Sequence, residues 1–406
     1  MSTPEQPQRA SLLPVFLIVL VDIFGMTLVI PLLAIYAETF HATPLQATLL
    51  VTVFAACQLV SGPLIGFASD HTGRKPMLIF SQIGTFIGFI ILARADALWM
   101  IYLSRIIDGS TAGNLSLAQA YIADNTAPEN RAKAFGMIGI AFGLGFFIGP
   151  SLTGLLSAKY GLTAPIYLAA GMSATSVLFS ATLLRGGRGS TVANPDRWAA
   201  LKWSTYAQYF ARPALRTLLF QFLFFMLSFS MFISGFALFA ERRFTWQGHP
   251  FGPREIGYVF GFVGFFGIVL QGAFIGRLVK RFGEAPLTVV GFATVVIGHL
   301  VLGVAATIPL LLVAALISGF GNGVLRPSIV SLITRRASRH EQGVVLGITQ
   351  ALTSMAAVVA PIVTGLLIQH EMLVTWAWLA AILAAVGWGL SVTGGRGNEG
   401  MSTSAA

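Results

Sequence analysis

The chain has 406 residues, of which 55% are hydrophobic and only 10% are charged, and its mean hydropathy is +0.79. Soluble domains carry roughly 25% charged residues, so this composition excludes an ordinary soluble domain and predicts an all-α protein in a lipid bilayer. The net charge of +10 would indicate nucleic-acid binding in a soluble protein. In a membrane protein it indicates basic loops on one side, so we expect no nucleic-acid partner.

Two absences in the sequence narrow the possible functions. The single cysteine, Cys57, lies in an apolar run, which excludes a disulfide framework and a cysteine metal cluster. No Gly-x-x-x-x-Gly-Lys-Ser/Thr motif is present, so ATP hydrolysis by a phosphate-binding loop is excluded. We therefore expect neither an enzyme nor a cofactor, and any energy must come from an ion gradient.

Twelve apolar segments, separated by turn or charge signals, are predicted to be membrane-spanning helices. In the first half they cover residues 12–36, 46–69, 76–94, 98–122, 134–157 and 163–184. In the second half they cover residues 214–240, 255–277, 285–306, 309–333, 343–368 and 373–393. The chain is thus divided into an N-terminal six-helix bundle (1–184), a polar linker (185–213) and a C-terminal six-helix bundle with a short tail (214–406).

The distribution of lysine and arginine predicts the orientation of these helices. Most of the 25 basic residues fall in loops and tails on one side, as in the pairs Arg74–Lys75 and Arg335–Arg336. The positive-inside rule then places both termini in the cytoplasm of a multi-pass protein of the cell inner membrane. We expect the first apolar run to be a spanning helix and not a removed signal peptide.

The two halves of the sequence are related by an internal repeat. The pattern Gly-x-x-x-Gly-x-x-x-charge-x-x-Gly of residues 62–73 recurs at residues 272–283. Two further matches follow in the same order and at nearly the same spacing, 109–113 with 319–323 and 150–156 with 361–367. Two repeated bundles with a site between them are the plan of a secondary transporter.

The inner end of the second predicted helix carries an unusual charged motif, made of Gly66, Asp70, Gly73, Arg74 and Lys75. A helix dipole disfavours a carboxylate at its C-terminus, so Asp70 needs a cationic or helix N-terminal partner, unless this is a solvated loop. The segment resembles the loop 2–3 motif of the major facilitator superfamily. That resemblance implies a conformational latch with Asp70 and Arg74 as an ion pair, and a degenerate second copy with Lys280 in place of the acid.

The resemblance extends over nearly the whole chain. Residues 105–109 resemble the family's arginine motif of the fourth helix, and residues 22–25 resemble the first-helix motif of the drug/proton antiporter branch. The fifth predicted helix resembles the glycine motif of that branch, through Gly145, Gly149, Pro150 and Gly154. Residues 120–124 and 239–246 are similar to stretches of tetracycline-resistance efflux proteins. The glycines permit close helix packing, and together with the proline they also suit a bending helix that opens and seals a cavity.

Four ionisable residues lie deep in predicted helices, where a charge is costly and by default marks a functional path: Asp22, Arg105, Asp108 and Arg326. Asp22 is our first candidate for the proton carrier, and the alternative is a hydrogen-bonded packing acid. Arg105 and Asp108 are three residues apart and share a helix face, so they form a neutral pair or a pair that substrate or proton breaks. Arg326 either extends to an interface or binds an anionic group.

Candidate cavity residues in the second half are Phe232, Phe236, His299 and Arg326. The phenylalanines of the seventh predicted helix surround it evenly, so we expect lipid contact for most of them, and hydrogen-bonded packing for His299. The tetracycline exporters carry further carboxylates in helices 3 and 9, where this chain has Gly88 and approximately Val295. A cation–tetracycline chelate needs such oxygen ligands, which makes tetracycline a doubtful substrate.

The function predicted from these features is proton-coupled efflux of a small amphipathic compound by a monomer with no cofactor. The first alternative is a proton symporter or facilitator that imports a small metabolite. The second is a receptor or scaffold that transports nothing. The acids in the N-terminal half favour neutral or cationic substrates, although Arg105 and Arg326 favour anions.

Overall fold

The computed structural model describes residues 13–125, 128–184, 203–338 and 341–402, which form a helical bundle with one short β-hairpin. Eleven helical stretches of the described chain are long and apolar enough to cross a membrane. Helices satisfy their own backbone hydrogen bonds and so suit a medium without water. The prediction of an all-α membrane protein is confirmed.

The described part of the N-terminal half contains seven helices, because one predicted span is divided. They are α1 (Leu13–Glu38), α2 (Pro44–Thr72), α3 (Arg74–Ala93), α4 (Leu98–Ser110), α5 (Asn114–Asn125), α6 (Pro128–Tyr160) and α7 (Ala164–Leu183). The start of α2 has a capping box, in which Thr43 Oγ1 accepts the Gln46 N–H and the Gln46 side chain accepts the Thr43 N–H.

The fourth predicted helix is not continuous, which corrects the prediction for residues 98–122. The helix stops after Ser110 and resumes at Asn114. Ser81 of α3 supports this interruption: its hydroxyl donates to the Thr111 carbonyl, and it accepts the Gly113 N–H at 2.9 Å. A neighbouring side chain thus satisfies backbone groups that would otherwise be unpaired in a membrane.

The C-terminal half repeats the arrangement. Its helices are α8 (Trp203–Ala211), α9 (Pro213–Arg243), α10 (Pro253–Val269), α11 (Ile275–Phe282), α12 (Glu284–Val304), α13 (Ile308–Arg336), α14 (Gln342–Gln369) and α15 (Leu373–Ser402). An antiparallel hairpin of β1 (Thr245–Trp246) and β2 (His249–Pro250) follows α9, and a π-helical turn (Leu270–Phe274) joins α10 to α11.

Two boundaries differ from the prediction. The end of the predicted linker, residues 185–213, contains α8, while residues 185–202 lie outside the described chain. The last helix continues to Ser402, beyond the predicted end at 393. A helix can continue through polar residues, because its hydrogen bonds join backbone groups. Hydropathy detects only the apolar part of the last helix, so the predicted end came too early.

The phenylalanines of α9 are buried, and the expected lipid contact is wrong for most of them. Phe225, Phe236 and Phe239 are 2%, 0% and 0% exposed. The reason is that α9 packs against α13, α14 and α15 on several sides. Within the helix, Phe220 is 37% exposed, which leaves a minor share of the aromatic surface for lipid.

The most extensive contacts between the two halves are those of α2 with α14 and of α6 with α10. We call the end predicted to face away from the cytoplasm the outer end, and the opposite end the inner end. Thr52 Oγ1 donates to the Val358 carbonyl across the halves at 3.0 Å, in the outer part of α2. A Cβ atom on Gly257 would lie 2.5 Å from the Pro150 carbonyl oxygen, which shows how closely α6 and α10 approach there.

Four glycines at the inner end, in α2, in the π-helical turn and in α11, have a different environment. A Cβ atom added to any of them would meet nothing within 4 Å: Gly62, Gly66, Gly272 and Gly276. These are the glycines of the internal repeat. Gly257 therefore packs tightly between the halves at the outer end, whereas these four glycines face open space at the inner end.

Candidate functional site

The half-buried carboxylate of Asp22 in α1 belongs to a polar cluster within the N-terminal bundle. Gln82 of α3 donates to Asp22 Oδ2 at 3.4 Å and to Ser176 Oγ of α7 at 2.6 Å. The Ser176 hydroxyl is also hydrogen-bonded to the Asp22 carboxylate. Ser173 fixes Gln82 in turn, because its hydroxyl donates to the Gln82 carbonyl at 3.1 Å. Two neighbouring helices thus hold Asp22 in place.

A second polar group lies beside this cluster on α4. Arg105 Nη1 is 3.4 Å from Asp108 Oδ2, and both residues are only 6% exposed. Thr85 of α3 is hydrogen-bonded to Asp108. The structure therefore brings Arg105 and Asp108 together as the shared helix face indicates, and each charge largely neutralises the other.

Gly88 explains why no carboxylate from α3 joins this pair. A Cβ atom at Gly88 would lie 3.1 Å from both the Ser104 carbonyl oxygen and Asp108 Cβ. A longer side chain would therefore push α3 away from α4. The other position without an acid, Val295, is a buried apolar residue at 1% exposure.

The charged motif at the inner end of α2 forms a compact turn into α3. Arg74 Nη1 is 2.5 Å from Asp70 Oδ1 and also donates to Ser69 Oγ at 2.5 Å. Gly73 makes the turn possible, because its φ of 101° is a conformation that side chains disfavour. The structure places Gly66 one helical turn before Asp70, next to open space.

Lys75 makes a different contact from the rest of the motif. Its Nζ donates to the carbonyls of Ala181 and Leu184, at 2.7 and 2.8 Å, where α7 ends. A lysine at this point stabilises the unpaired carbonyls of a helix C-terminus. Lys75 therefore ties α3 to α7 inside the N-terminal half.

The second copy of the motif has the opposite charges. Lys280 occupies the position of Asp70, and Glu284 occupies the position of Arg74. Glu284 is 9% exposed, pairs with Arg335 at 2.8 Å and accepts a hydrogen bond from Ser331 at 3.0 Å. The sequence suggested a degenerate copy, but the structure shows that this copy has an ion pair of its own.

The glycines of α6 allow close contact with α1. A Cβ atom on Gly145 would lie 2.5 Å from Ile23 Cγ2, and one on Gly149 would lie 2.8 Å from Thr27 Cβ. Ile23 directly follows Asp22 in the chain. The residue next to Asp22 in the chain therefore packs directly against α6.

Further along, α6 contacts the other half. A Cβ atom on Gly154 would lie 2.9 Å from Arg254 Cα, and the Pro150 carbonyl approaches Gly257 of α10. Pro150 lies inside α6, where it removes one helical hydrogen bond. The helix therefore links the Asp22 region to the closed interface at the outer end.

The candidate cavity residues of the C-terminal half fall into two groups. Phe232, Phe236 and His299 are 9%, 0% and 1% exposed, and the Phe232 and His299 rings stack at 5.7 Å. His299 Nδ1 is also 3.4 Å from Ser228 Oγ, so these three residues form part of the bundle interior. Arg326 is exposed, and its guanidinium lies 5.8 Å from the centroid of the Phe142 ring in the other half.

Sequence reasoning missed Gln82 and Ser176. The sequence shows an amide and a hydroxyl inside otherwise apolar helices, but it does not show that they bind Asp22. Within the described ranges, His, Cys, Asp and Glu side chains form no group of three that could bind a metal ion.

Comparison with known proteins agrees with this architecture. The chain is 26% identical over 386 residues to the tetracycline resistance protein, class B, of Escherichia coli, covering 90% of each protein. It is 26% identical over 390 residues to multidrug resistance protein 2 of Bacillus subtilis, covering 93% of this chain and 94% of that protein.

Solved structures share the fold at lower identity. The human organic anion transporter MFSD10 (TETRAN) has a TM-score of 0.72 and 23% identity, over 95% of this chain and 100% of that chain. The nucleoside transporter NupG has a TM-score of 0.76 and 14% identity, over 95% of this chain and 98% of that chain. The family model described as Major Facilitator Superfamily matches residues 15–274 and 248–394. The chain therefore belongs to the Major Facilitator Superfamily and is a membrane transporter, not an enzyme.

Proposed function

We propose that this transporter exports a small amphipathic compound across the cell inner membrane in exchange for protons. The observation that carries the proposal is the position of Asp22. It lies nine residues into α1, about 14 Å along the helix axis, in the polar cluster with Gln82 and Ser176. A carboxylate at that depth is costly when ionised, so its charge state responds to water and to the occupant of the cavity.

Alternating access supplies the vectorial step in this proposal. The halves are in contact at the outer end, through Thr52 with Val358 and through Gly257 with Pro150. Glycines with open space lie in the inner part of α2, in the π-helical turn and in α11, which suits a second state in which the inner ends approach. Protonation of Asp22 then favours one state over the other, and transport requires the substrate to bind the two states unequally.

Two further elements have roles in this cycle. The pair of Asp70 and Arg74 acts as the conformational latch at the inner end. The glycines of α6 carry movement of α1 to the interface, since Gly145 contacts α1 and Gly154 contacts α10. In this scheme the protein works as a monomer of two six-helix bundles, 1–184 and 214–406, with both termini in the cytoplasm.

The named relatives support export over import. Tetracycline resistance and multidrug resistance are the functions in the names of the bacterial relatives, at 26–29% identity. We extend to this chain the general property of drug-like efflux and not tetracycline itself. Gly88 and Val295 offer none of the oxygen ligands that a cation–tetracycline chelate needs.

The test has two stages. A susceptibility panel in an efflux-deficient host, with and without the protein, identifies compounds to which it confers resistance. Uptake of such a compound into inverted membrane vesicles is then followed with and without an imposed proton gradient. We expect accumulation that stops when an ionophore removes the gradient. Equal, gradient-independent equilibration would show a facilitator, and accumulation only in right-side-out vesicles would show an importer.

A further inference from the structure

Arg326 is a cation deep in the molecule that remains accessible. It lies in α13, ten residues before the end of the helix at Arg336, or about 15 Å along the axis. Its side chain is exposed, yet protein surrounds it, and Phe142 of the opposite half lies against its guanidinium. A side chain that contacts the other bundle and is still exposed faces the space between the two halves.

Arg326 has no counter-charge among the described residues, unlike three other buried charged residues. Arg105 pairs with Asp108, Arg74 with Asp70, and Glu284 with Arg335. Within the described part of the chain, the interaction of the Arg326 guanidinium is its contact with the Phe142 ring, at 5.8 Å from the ring centroid. A cation over an aromatic face gains roughly 0.5–2 kcal/mol, which compensates only part of the cost of a charge at this depth.

Its neighbours provide a polar group and an apolar wall. Asn322 lies one turn earlier on the same helix face, and its amide oxygen has no hydrogen-bond partner within the described chain. Pro327 lacks an N–H, so the Gly323 carbonyl loses its helical partner beside them. On the other side, Phe142 stacks with Phe146 at 6.4 Å. The site thus combines one unpaired cation, an amide and stacked aromatic rings.

We propose that Arg326, Asn322 and Phe142 form an anion-binding subsite of the transport cavity, and that the exported compound is an amphiphile with a carboxylate on an aromatic or aliphatic body. This inference rests on the proposed function, since it names the substrate class of the same cavity. The guanidinium binds the carboxylate, and the rings contact the apolar body. The Asn322 amide donates a second hydrogen bond when the side chain turns its N–H2 group to the place that its unpartnered oxygen now occupies.

The substrate class differs from the one favoured by the sequence. From sequence alone, Asp22 and Asp108 favoured neutral or cationic compounds. In the structure Asp108 is already neutralised by Arg105, whereas Arg326 is unpaired. Among the described residues, the deep charges without a counter-charge are therefore divided between the halves, with the carboxylate of Asp22 in the first and the Arg326 guanidinium in the second.

Three compounds with one aromatic body test the proposal: naphthylacetate, naphthylacetamide and naphthylmethylammonium. Their binding to the purified full-length protein in zwitterionic nanodiscs is measured by ligand-induced thermal stabilisation. We expect the anion to bind most tightly, and Arg326→Gln to weaken its binding roughly tenfold or more. Arg326→Lys should keep part of the affinity, and Phe142→Leu should weaken the anion and the amide alike. Arg216→Gln is the matched control, because it removes an exposed arginine at the start of α9.

The outcomes separate this proposal from the proposed function. Unchanged binding of naphthylacetate to a folded Arg326→Gln protein would overturn the subsite, and so would tighter binding of the amide or the ammonium compound to the wild type. Proton-driven export of cations alone would overturn the subsite and leave the proposed function standing. An anionic lipid headgroup has the same chemistry, so the measurement is repeated with anionic lipid in the nanodiscs. Loss of naphthylacetate binding there, with binding of the neutral naphthylacetamide unchanged, would assign Arg326 to lipid and overturn the proposal.

Discussion

Arg242, at the end of α9, donates from Nη2 to Glu38 Oε1 at 2.5 Å, at the end of α1. This ion pair joins the C-terminal half to the N-terminal half at the outer end, beside the short β-hairpin. Glu241 adds a second carboxylate 3.5 Å from the Arg242 guanidinium. The pair can exist only while the outer ends of α1 and α9 are together, so it favours the state closed at the outer end.

Arg242→Gln is therefore expected to shift the transporter towards the state that is open at the outer end. Partly exposed ion pairs contribute roughly 0.2–1 kcal/mol, so we expect a shift of up to about fivefold. A single cysteine at Thr52, in a Cys57→Ser background, reports the opening through its labelling by an impermeant maleimide in intact cells. Thr52 is only 9% exposed in the closed interface, so its labelling should rise in the variant.

Arg243→Gln is the matched control for this measurement. The Arg243 guanidinium donates to the Ala305 carbonyl within its own half at 3.0 Å, so its loss should leave labelling at position 52 unchanged. Equal labelling of the wild type and Arg242→Gln would show that the ion pair does not hold the outer end closed.

Two glycine substitutions should act in opposite directions. Gly66 faces open space in this state, so Gly66→Leu should leave the fold intact and hinder closure of the inner end. A Cβ atom at Gly257 would lie 2.5 Å from the Pro150 carbonyl, so Gly257→Ala should disfavour closure of the outer end. Both should reduce transport. In the Thr52 labelling assay, Gly66→Leu should lower the rate and Gly257→Ala should raise it; changes in the same direction would contradict this assignment.

The membrane-spanning helices are predicted well from the sequence, because the apolar residues that a span requires follow one another along the chain. A membrane needs about twenty apolar residues per helix, and the segments that became α1, α2 and α12 have them. The interruption between Ser110 and Asn114 was not predictable in this way. It depends on Ser81, which lies on another helix and satisfies the exposed backbone groups.

The candidate site, like the fold, is only partly predictable from the sequence. Hydropathy marks Asp22, Arg105 and Arg326 as charges in apolar helices, and this much is visible in the sequence. Whether each has a partner depends on the packing of distant helices. Arg105 has Asp108 nearby on its own helix, whereas Gln82 reaches Asp22 from α3, and only the fold shows that Arg326 faces Phe142.

The ion pair of Arg212 and Glu341 should give the C-terminal half a pH-dependent stability. Hydrogen bonds from Arg212 and Ser338 lower the pKa of Glu341 from its ordinary value of 4.5 to about 2. A lowered carboxyl pKa stabilises the folded state fully above about pH 4.5, and the effect is lost as the pH falls towards 2. Because both side chains are partly exposed, we expect only about 0.5 kcal/mol.

Thermal unfolding of the wild type and Arg212→Gln tests this effect. The variant should unfold at a lower temperature at pH 7, and the difference between the two proteins should shrink steadily below pH 4.5. Arg216→Gln removes an exposed arginine one turn later and should show no such pH dependence. A difference of constant size from pH 7 to pH 3 would mean that Glu341 is not the group responsible.

Asp70→Asn should impair transport and leave membrane insertion intact. The substitution removes one partner of the pair with Arg74, which is itself only 5% exposed. Losing one partner of a buried pair costs several kcal/mol, so we expect a loss of transport of roughly tenfold or more. Asp96→Asn, in the exposed loop before α4, is the control. Full transport by an Asp70→Asn protein that is present in the membrane at normal levels would exclude Asp70 from the latch.

The last prediction concerns Asp22, the proposed proton carrier. Asparagine has nearly the same shape and can still accept a hydrogen bond from Gln82, but it cannot take up or release a proton. Asp22→Asn should therefore abolish accumulation driven by a proton gradient in inverted vesicles, whereas substrate binding and exchange across equilibrated membranes should persist. Asp22→Glu keeps a carboxylate and should keep part of the driven transport. If Asp22→Asn still accumulates substrate against its gradient, the proton is carried elsewhere, and Asp108 becomes the next candidate, because it is the other acid in this region and its pairing with Arg105 is open to change.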